Sequence, residues 1–371
     1  MSQIYELLGY PINDHSPKVE ASRKSAYCPF LGAVCDGGGN RYMSGLQLAD
    51  HPELREYFSS LDGNQVQSGI CSIQLTEGAS PWIICPRRML YMGHHANTEI
   101  LNGYTQRTLL EKCGFEKGDR IGVWAEAKVK YQNEDDDTDD AAFDYTFDYV
   151  LMPIGRVSKE KAMNDTNMGW VELKKLIEKG GLPIIKENGK LYIDDFPIGN
   201  PAIVEVMTSS TSGGNKKKRS CIPQAFEDCV LGHDHTAPGI NYRQVWARMA
   251  SQLIVKSQAA MAWNGKTIWI LQDLLSNYIS TSTALNLYHF ESENTSEVNI
   301  LEFSYGDNYK HSNHGSVTNL TNARLFAGSI KPANQGNESS FEDIVLASVC
   351  PPKSVLVAAL VKKKRSNELI Y

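Results

Sequence analysis

The stretch PAIVEVMTSST, residues 201–211, joins a short apolar strand, Ala202 to Met207, to a single carboxylate in its middle, Glu205. Burying a charge in a strand is costly unless the charge is paired or bound to a metal. The residues that follow, SSTSGGNKKKR (209–219), turn small and polar and then basic, ending in Lys216, Lys217, Lys218 and Arg219. An acid inside a strand with cations at its end points to a metal held beside a polyanion, the four basic residues gripping its backbone. The alternative for such a basic run is a solvated loop.

Upstream, AFDYTFDYVLMPI (142–154) has the alternation of a strand. Phe143, Tyr145, Phe147, Tyr149 and Leu151 fall on one face. Thr146, Asp148, Val150 and Met152 fall on the other, so Asp148 is a second carboxylate on a largely apolar surface. RIGVWAEAKVKY (120–131) alternates too, with Val123, Ala125, Ala127 and Val129 together. The acidic run between these strands, Glu134–Asp140, lacks the Gly and terminal Glu of an EF-hand and suits a solvated hairpin tip. A helical pattern precedes them over 97–113 and stops at Gly114. Downstream, NYRQVWARMASQLIVKS (241–257) is a helix capped by Asn241, with Val245, Met249, Leu253 and Ile254 as its apolar face. TIWILQDLL (267–275) then begins as a buried strand. Residues 155–200 form an insertion, a helix at 170–179 and a hairpin at 182–198 turned by Asn188-Gly189.

The 371 residues carry 42% hydrophobic and 22% charged side chains, an ordinary globular balance with ample material for a core. No apolar run approaches a membrane span, and the first residues lack the basic-then-apolar layout of a leader. The expectation is a soluble, cytoplasmic protein. The net charge of −6 does not advertise nucleic-acid binding, yet the positive charge is clustered locally, as at Lys362–Arg365.

Of eight cysteines, four fall early: Cys28, Cys35, Cys71 and Cys85, spaced C-x6-C-x35-C-x13-C. Glycines at 37–39 supply a loop whose amides can point at sulfur. Four thiolates suit a closed tetrahedral zinc or iron site. The spacing is also compatible with buried free thiols. His94 and His95 are rival ligands or surface residues. His233, Asp234 and His235 read as a loop. Ala49–Leu61 reads as a short helix capped by Asp50.

In chain order these elements run α-β-β-β-α-β, the order of the PD-(D/E)XK nuclease core, which places one acid on its second strand and another on its third. Asp148 and Glu205 hold those places. The motifs CPFL (28–31), WIICPRR (82–88), TFDYVL (146–151) and AIVEVMT (202–208) together resemble the NotI-like type II restriction endonucleases over roughly residues 25–275. The resemblance implies an α/β protein with a mixed central sheet flanked by helices and an N-terminal four-cysteine iron (or zinc) subdomain. It implies Mg2+ at Asp148 and Glu205, and a homodimer cutting a palindromic double-stranded DNA site. A cognate DNA methyltransferase would share the system without forming a stable complex.

Met207 departs from the pattern. The nuclease motif has Lys two residues after its Glu, and the NotI-like family has Gln; methionine supplies neither charge nor a strong donor. Gln252 and Arg248, at i and i−4 on the following helix, and Lys216 are candidate substitutes, with Gln252 the chosen one. The expected division is 1–95 for the cysteine region, 96–285 for the nuclease core and 286–371 for an extension of the same unit. Alternatives are a catalytically inactive DNA-binding protein and a repair nuclease of the same core.

Overall fold

A computed structural model describes residues 1–39, 45–93, 101–131, 143–282, 287–311, 314–328 and 351–371. The acidic run, His94, His95 and an expected strand at 344–349 lie outside the described residues. The chain is a mixed α/β protein whose central sheet is flanked by helices. Its core elements are α1 (Leu101–Cys113), β1 (Arg120–Tyr131), β2 (Phe143–Ser158), β3 (Ala202–Val206), α2 (Tyr242–Ala262) and β4 (Lys266–Gln272). β1 and β2 are antiparallel, as are β2 and β3, while β3 and β4 are parallel. Parallel pairing demands a crossover, and α2 provides it.

The C-terminal residues extend this same sheet. β5 (Val298–Ser304) lies parallel to β4, and β6 (Thr321–Gly328) antiparallel to β5. The apolar run at 354–361 is a helix, α3 (Lys353–Lys362), and β7 (Asn367–Ile370) pairs with the outer side of β1. In the inserted hairpin, Ile184–Glu187 pairs with Lys190–Pro197 across a turn with positive φ at Asn188 and Gly189, and Lys190–Pro197 pairs with the far end of β2. That is the geometry an Asn-Gly hairpin favours.

The two sheet faces bury separate cores. On one, Leu109, Leu110 and Cys113 of α1 meet Ile121, Val123, Tyr149, Leu151 and Val204. On the other, Val255, Ala259 and Ala260 of α2 and Leu356 and Leu360 of α3 meet Trp124, Phe147, Val150 and Ile203. Each of the Leu, Ile, Val and Phe side chains among these contributes about 1.5–3 kcal/mol by leaving water. The simple alternation expected for β1 and β2 fails midway. Ala125 and Tyr149 face α1, but Ala127 and Phe147 face α2. The reversal falls at Glu126, whose φ of 49° is rare for a non-glycine residue, and at Asp148 beside it.

In the N-terminal region, Gln3–Leu7 pairs with Ile70–Gln74, which in turn pairs with Trp82–Ile83. The helix expected over 49–61 is shorter, Pro52–Tyr57, and begins after His51 rather than Asp50, because residues 48–50 form a separate 3-10 turn. A fully buried ion pair fastens this region to the C-terminal residues. Arg88 binds Glu6 at 2.9 Å, Glu6 accepts from Tyr305 and Ser72, and Arg88 donates to the Thr318 carbonyl. No helix among the described residues is long and apolar enough to cross a membrane.

Candidate active site

Where β2 meets β3, the ladder ends at the pair Tyr149–Val204. The next two residues are Asp148 and Glu205, and their carboxylates take over the hydrogen bonding. Asp148 Oδ2 accepts from the Val206 amide at 2.8 Å, and Glu205 Oε1 accepts from the Asp148 amide at 3.4 Å. The strands part here, and the two acids stand side by side in the opening. The sequence pairing of Asp148 with Glu205 is therefore realised in space.

The third member was not anticipated. Lys256 of α2 is 4% exposed, and its Nζ donates to Glu205 Oε2 at 2.6 Å. The same ammonium lies 5.5 Å from the centre of the Phe147 ring. Gln252, one turn earlier, is half-buried and bonds neither acid, so it does not fill the place left by Met207. Met207 packs with Trp82, Tyr242 and Met249 in an apolar cluster. The strand position thus has an apolar side chain, and the helix facing it delivers the cation. A signal for Lys256 was present: it follows Val245 and Met249 by 11 and 7 residues, which places a charge on a buried helical row.

Electrostatics leave the pair short of positive charge. Burial, and next the neighbouring Asp148, push Glu205 up to about 8, against the opposing pull of Lys256. Burial also raises Asp148, although the Val206 amide and Lys256 act the other way. With both carboxyls ionised beside one ammonium the pair would carry a net negative charge out of water, which favours keeping a proton on Glu205 until a further cation relieves it. Hard oxygen donors in this number suit Mg2+, which needs only one or two carboxylates when phosphate completes its shell.

A cleft of about 1180 Å³ opens over Asp148, lined also by Arg87, Glu126, Thr208, Lys216 and Arg248. Of the four basic residues, Lys216, Lys217 and Lys218 form an exposed turn capped by Asn215. Arg219 is different: it is committed to Asp228 at 2.7 Å and Glu227 at 2.7 Å, so it pins the loop rather than offering its charge. His235 accepts from the Ile4 amide in a loop, as expected.

The four early cysteines converge. Cys28 and Cys71 are buried together, with Cys35 and Cys85 packed against them. Each sulfur receives backbone amides: Gly9 to Cys71 at 3.3 Å, Gly37 to Cys35 at 3.5 Å, Phe30 and Leu31 to Cys28, Arg87 and Arg88 to Cys85. Gly38, at φ 69°, is in a conformation that disfavours a side chain, and a Cβ there would crowd Pro86 Cδ at 3.1 Å and Cys85 Sγ at 3.2 Å. Nevertheless, among the described residues no group of three or more His, Cys, Asp or Glu side chains is arranged to hold a metal ion. The four thiols therefore share one pocket without forming a closed ligand set; Cys71 is instead hydrogen-bonded to Cys85.

The cysteine region is tied to the acid strand directly. Beyond β3, Ser209 donates its amide to the Ile83 carbonyl, and Thr208 its hydroxyl to the Ile84 carbonyl. Cys85 thus hangs from the same strand that carries Glu205. No protein-family model matches the chain, and no curated protein matches its sequence.

Proposed function

We propose that the protein is a Mg2+-dependent DNA endonuclease of the PD-(D/E)XK kind, acting on double-stranded DNA as a NotI-like type II restriction enzyme. The observation that carries this reading is the buried triad of Asp148, Glu205 and Lys256 where β2 and β3 part. An acid from each of two adjacent strands and a lysine beside the second acid is the residue set phosphodiester hydrolysis calls for. Bound to Asp148 and Glu205, Mg2+ would polarise the phosphate and lower the pKa of the attacking water.

The protein's own groups divide the remaining work. The Asp148 and Glu205 carboxylates are fixed by amide hydrogen bonds and need no reorganisation. Lys256, held in low dielectric, places a positive charge next to the reacting centre, where negative charge develops. Lys216 lines the cleft, and it shares an exposed turn with Lys217 and Lys218 that is suited to neutralising backbone phosphates. The alternative of an inactive DNA-binding protein drew its force from Met207, and Lys256 supplies the charge that Met207 lacks. The same reading gives Cys28, Cys35, Cys71 and Cys85 an iron or zinc ion in a structural role. Its support is the all-sulfur donor set with an amide on each sulfur. Homodimerisation on a palindrome belongs to this proposal as well.

The test is incubation of purified protein with mixed-sequence plasmid in Mg2+. Cleavage is expected for the wild type and absent for Asp148→Asn and Glu205→Gln, both of which still bind DNA in Ca2+. Full-rate cleavage by either variant would overturn the site assignment. Elemental analysis of the same preparation should find about one iron or zinc per chain, and none would remove the four-cysteine site.

A further inference from the structure

Arg87 stands between the cysteine pocket and the acid pair. It lies in a short helix, Pro86–Met89, directly after Cys85. Its Nε and Nη2 approach Asp36 Oδ2 at 3.2 and 3.1 Å, and Asp36 Oδ1 is itself held by the Gly38 amide at 2.9 Å. The guanidinium also lies 5.1 Å from the centre of the Tyr91 ring. Asp36 follows Cys35 and Arg87 lies two residues after Cys85, so the ion pair joins two cysteine-bearing segments. The side chain is nonetheless 19% exposed and lines the cleft together with Asp148 and Glu126. Its charge reaches Asp148, where it acts to stabilise the ionised carboxylate.

A cleft lined by Glu126 and Asp148 repels a phosphodiester, and the buried Lys256 is already bonded to Glu205 beside Asp148. A second fixed cation facing the acids would offset that repulsion. Guanidinium has five N–H donors in a planar fork, of which Nε donates to Asp36 and Nη2 lies close to the same oxygen, and phosphate is the ligand this fork matches. We infer that Arg87 binds a DNA backbone phosphate at the cleavage site, and that the cysteine loops serve to hold it there. This rests on the nuclease reading above. The competing role is a bracket only, fastening residues 36–38 to residues 85–88.

The two roles separate on salt dependence. A fluorescent mixed-sequence duplex is titrated with wild type, Arg87→Gln and Arg87→Lys in Ca2+ over a series of salt concentrations, with thermal melting of each protein alongside. Loss of one phosphate contact lowers the slope of log affinity against log salt by about 0.9. Arg87→Gln is expected to show that loss with weaker binding, and Arg87→Lys, which keeps the charge, to retain the wild-type slope. A lowered melting point with an unchanged slope for Arg87→Gln would make Arg87 a bracket and overturn the inference. Should Arg87→Gln fail to fold, a wild-type slope and cleavage rate in Asp36→Asn, which frees the anchor, would overturn the role given to the cysteine loops; weaker binding would support it. If wild type binds no DNA, the nuclease reading falls along with this one.

Discussion

Replacing Lys256 by methionine removes one ammonium while keeping most of the stem that crosses the α2 interface. The lost contact is the 2.6 Å bond to Glu205, whose remaining partner is the Asp148 amide at 3.4 Å. Stranding a charge in a buried pair costs about 3–5 kcal/mol. Here the carboxyl has an escape, because it is already pushed up to about 8 and takes a proton at neutral pH. The stability loss should therefore stay near the ~1.5–3 kcal/mol of one charged hydrogen bond. The rate should suffer more. A preorganised group that stabilises developing charge is worth about 3–4 kcal/mol, a 10²–10³-fold fall in single-turnover cleavage. Adding Met207→Lys to Lys256→Met returns an ammonium to the strand, on the face Glu205 occupies and at the lip of the cleft. That double variant should recover at least about tenfold of the lost rate, a gain of about 1.4 kcal/mol. Thermal melting confirms folding and plasmid nicking reads the rate. A folded Lys256→Met that cuts within a few-fold of wild type would refute the role of Lys256.

Other outcomes follow from the same geometry. At limiting Mg2+, cleavage should climb as pH rises through about 8, since Glu205 must lose its proton to bind metal, and more Mg2+ should move the midpoint to lower pH. A fixed midpoint would separate Glu205 from the metal. Without divalent metal, a carboxyl raised from 4.5 holds its proton longer in the folded state, so its contribution to stability is present below 4.5 and lost as pH climbs towards 8. Melting of Glu205→Gln should show a flatter decline over that window, and an unchanged slope would contradict it. Arg88→Met strands Glu6, which is 0% exposed, and should cost about 3–5 kcal/mol in urea unfolding; a loss under about 1 kcal/mol would show the pair to be dispensable. Gly180→Ala would place a Cβ 1.9 Å from the Val361 carbonyl and should cost about 1–3 kcal/mol by forcing α3 away. An unchanged midpoint would mean the contact yields freely.

Much of the frame was legible from local pattern. A lone carboxylate in an apolar run marked Glu205, a second marked Asp148, and the helices and strands around them gave the right order because each is strongly periodic. What failed was phase. Alternation presumes extended backbone, so it could not see that Glu126 adopts positive φ and turns Ala127 and Phe147 to the opposite face. The helix at 242–262 misled in a similar way. Its stripe was drawn through Leu253 and Ile254, which are half-buried, while Val255, Lys256 and Ser257 face the core. Lysine is rarely interior, and its burial depends on Glu205, 51 residues away. Arg219 looked available because its acids, Glu227 and Asp228, lie on the next helix. The pairing of β7 with β1 joins segments too distant in sequence for any window to connect.

The central claim is that Asp148, Glu205 and Lys256 together cut DNA. Sequencing the ends produced from a random-sequence plasmid library in Mg2+ tests it most directly. Wild type should yield one recurrent, symmetric junction that disappears with Asp148→Asn and with Lys256→Met. Intact library from wild-type protein that binds the same DNA, or identical ends from the variants, would contradict it.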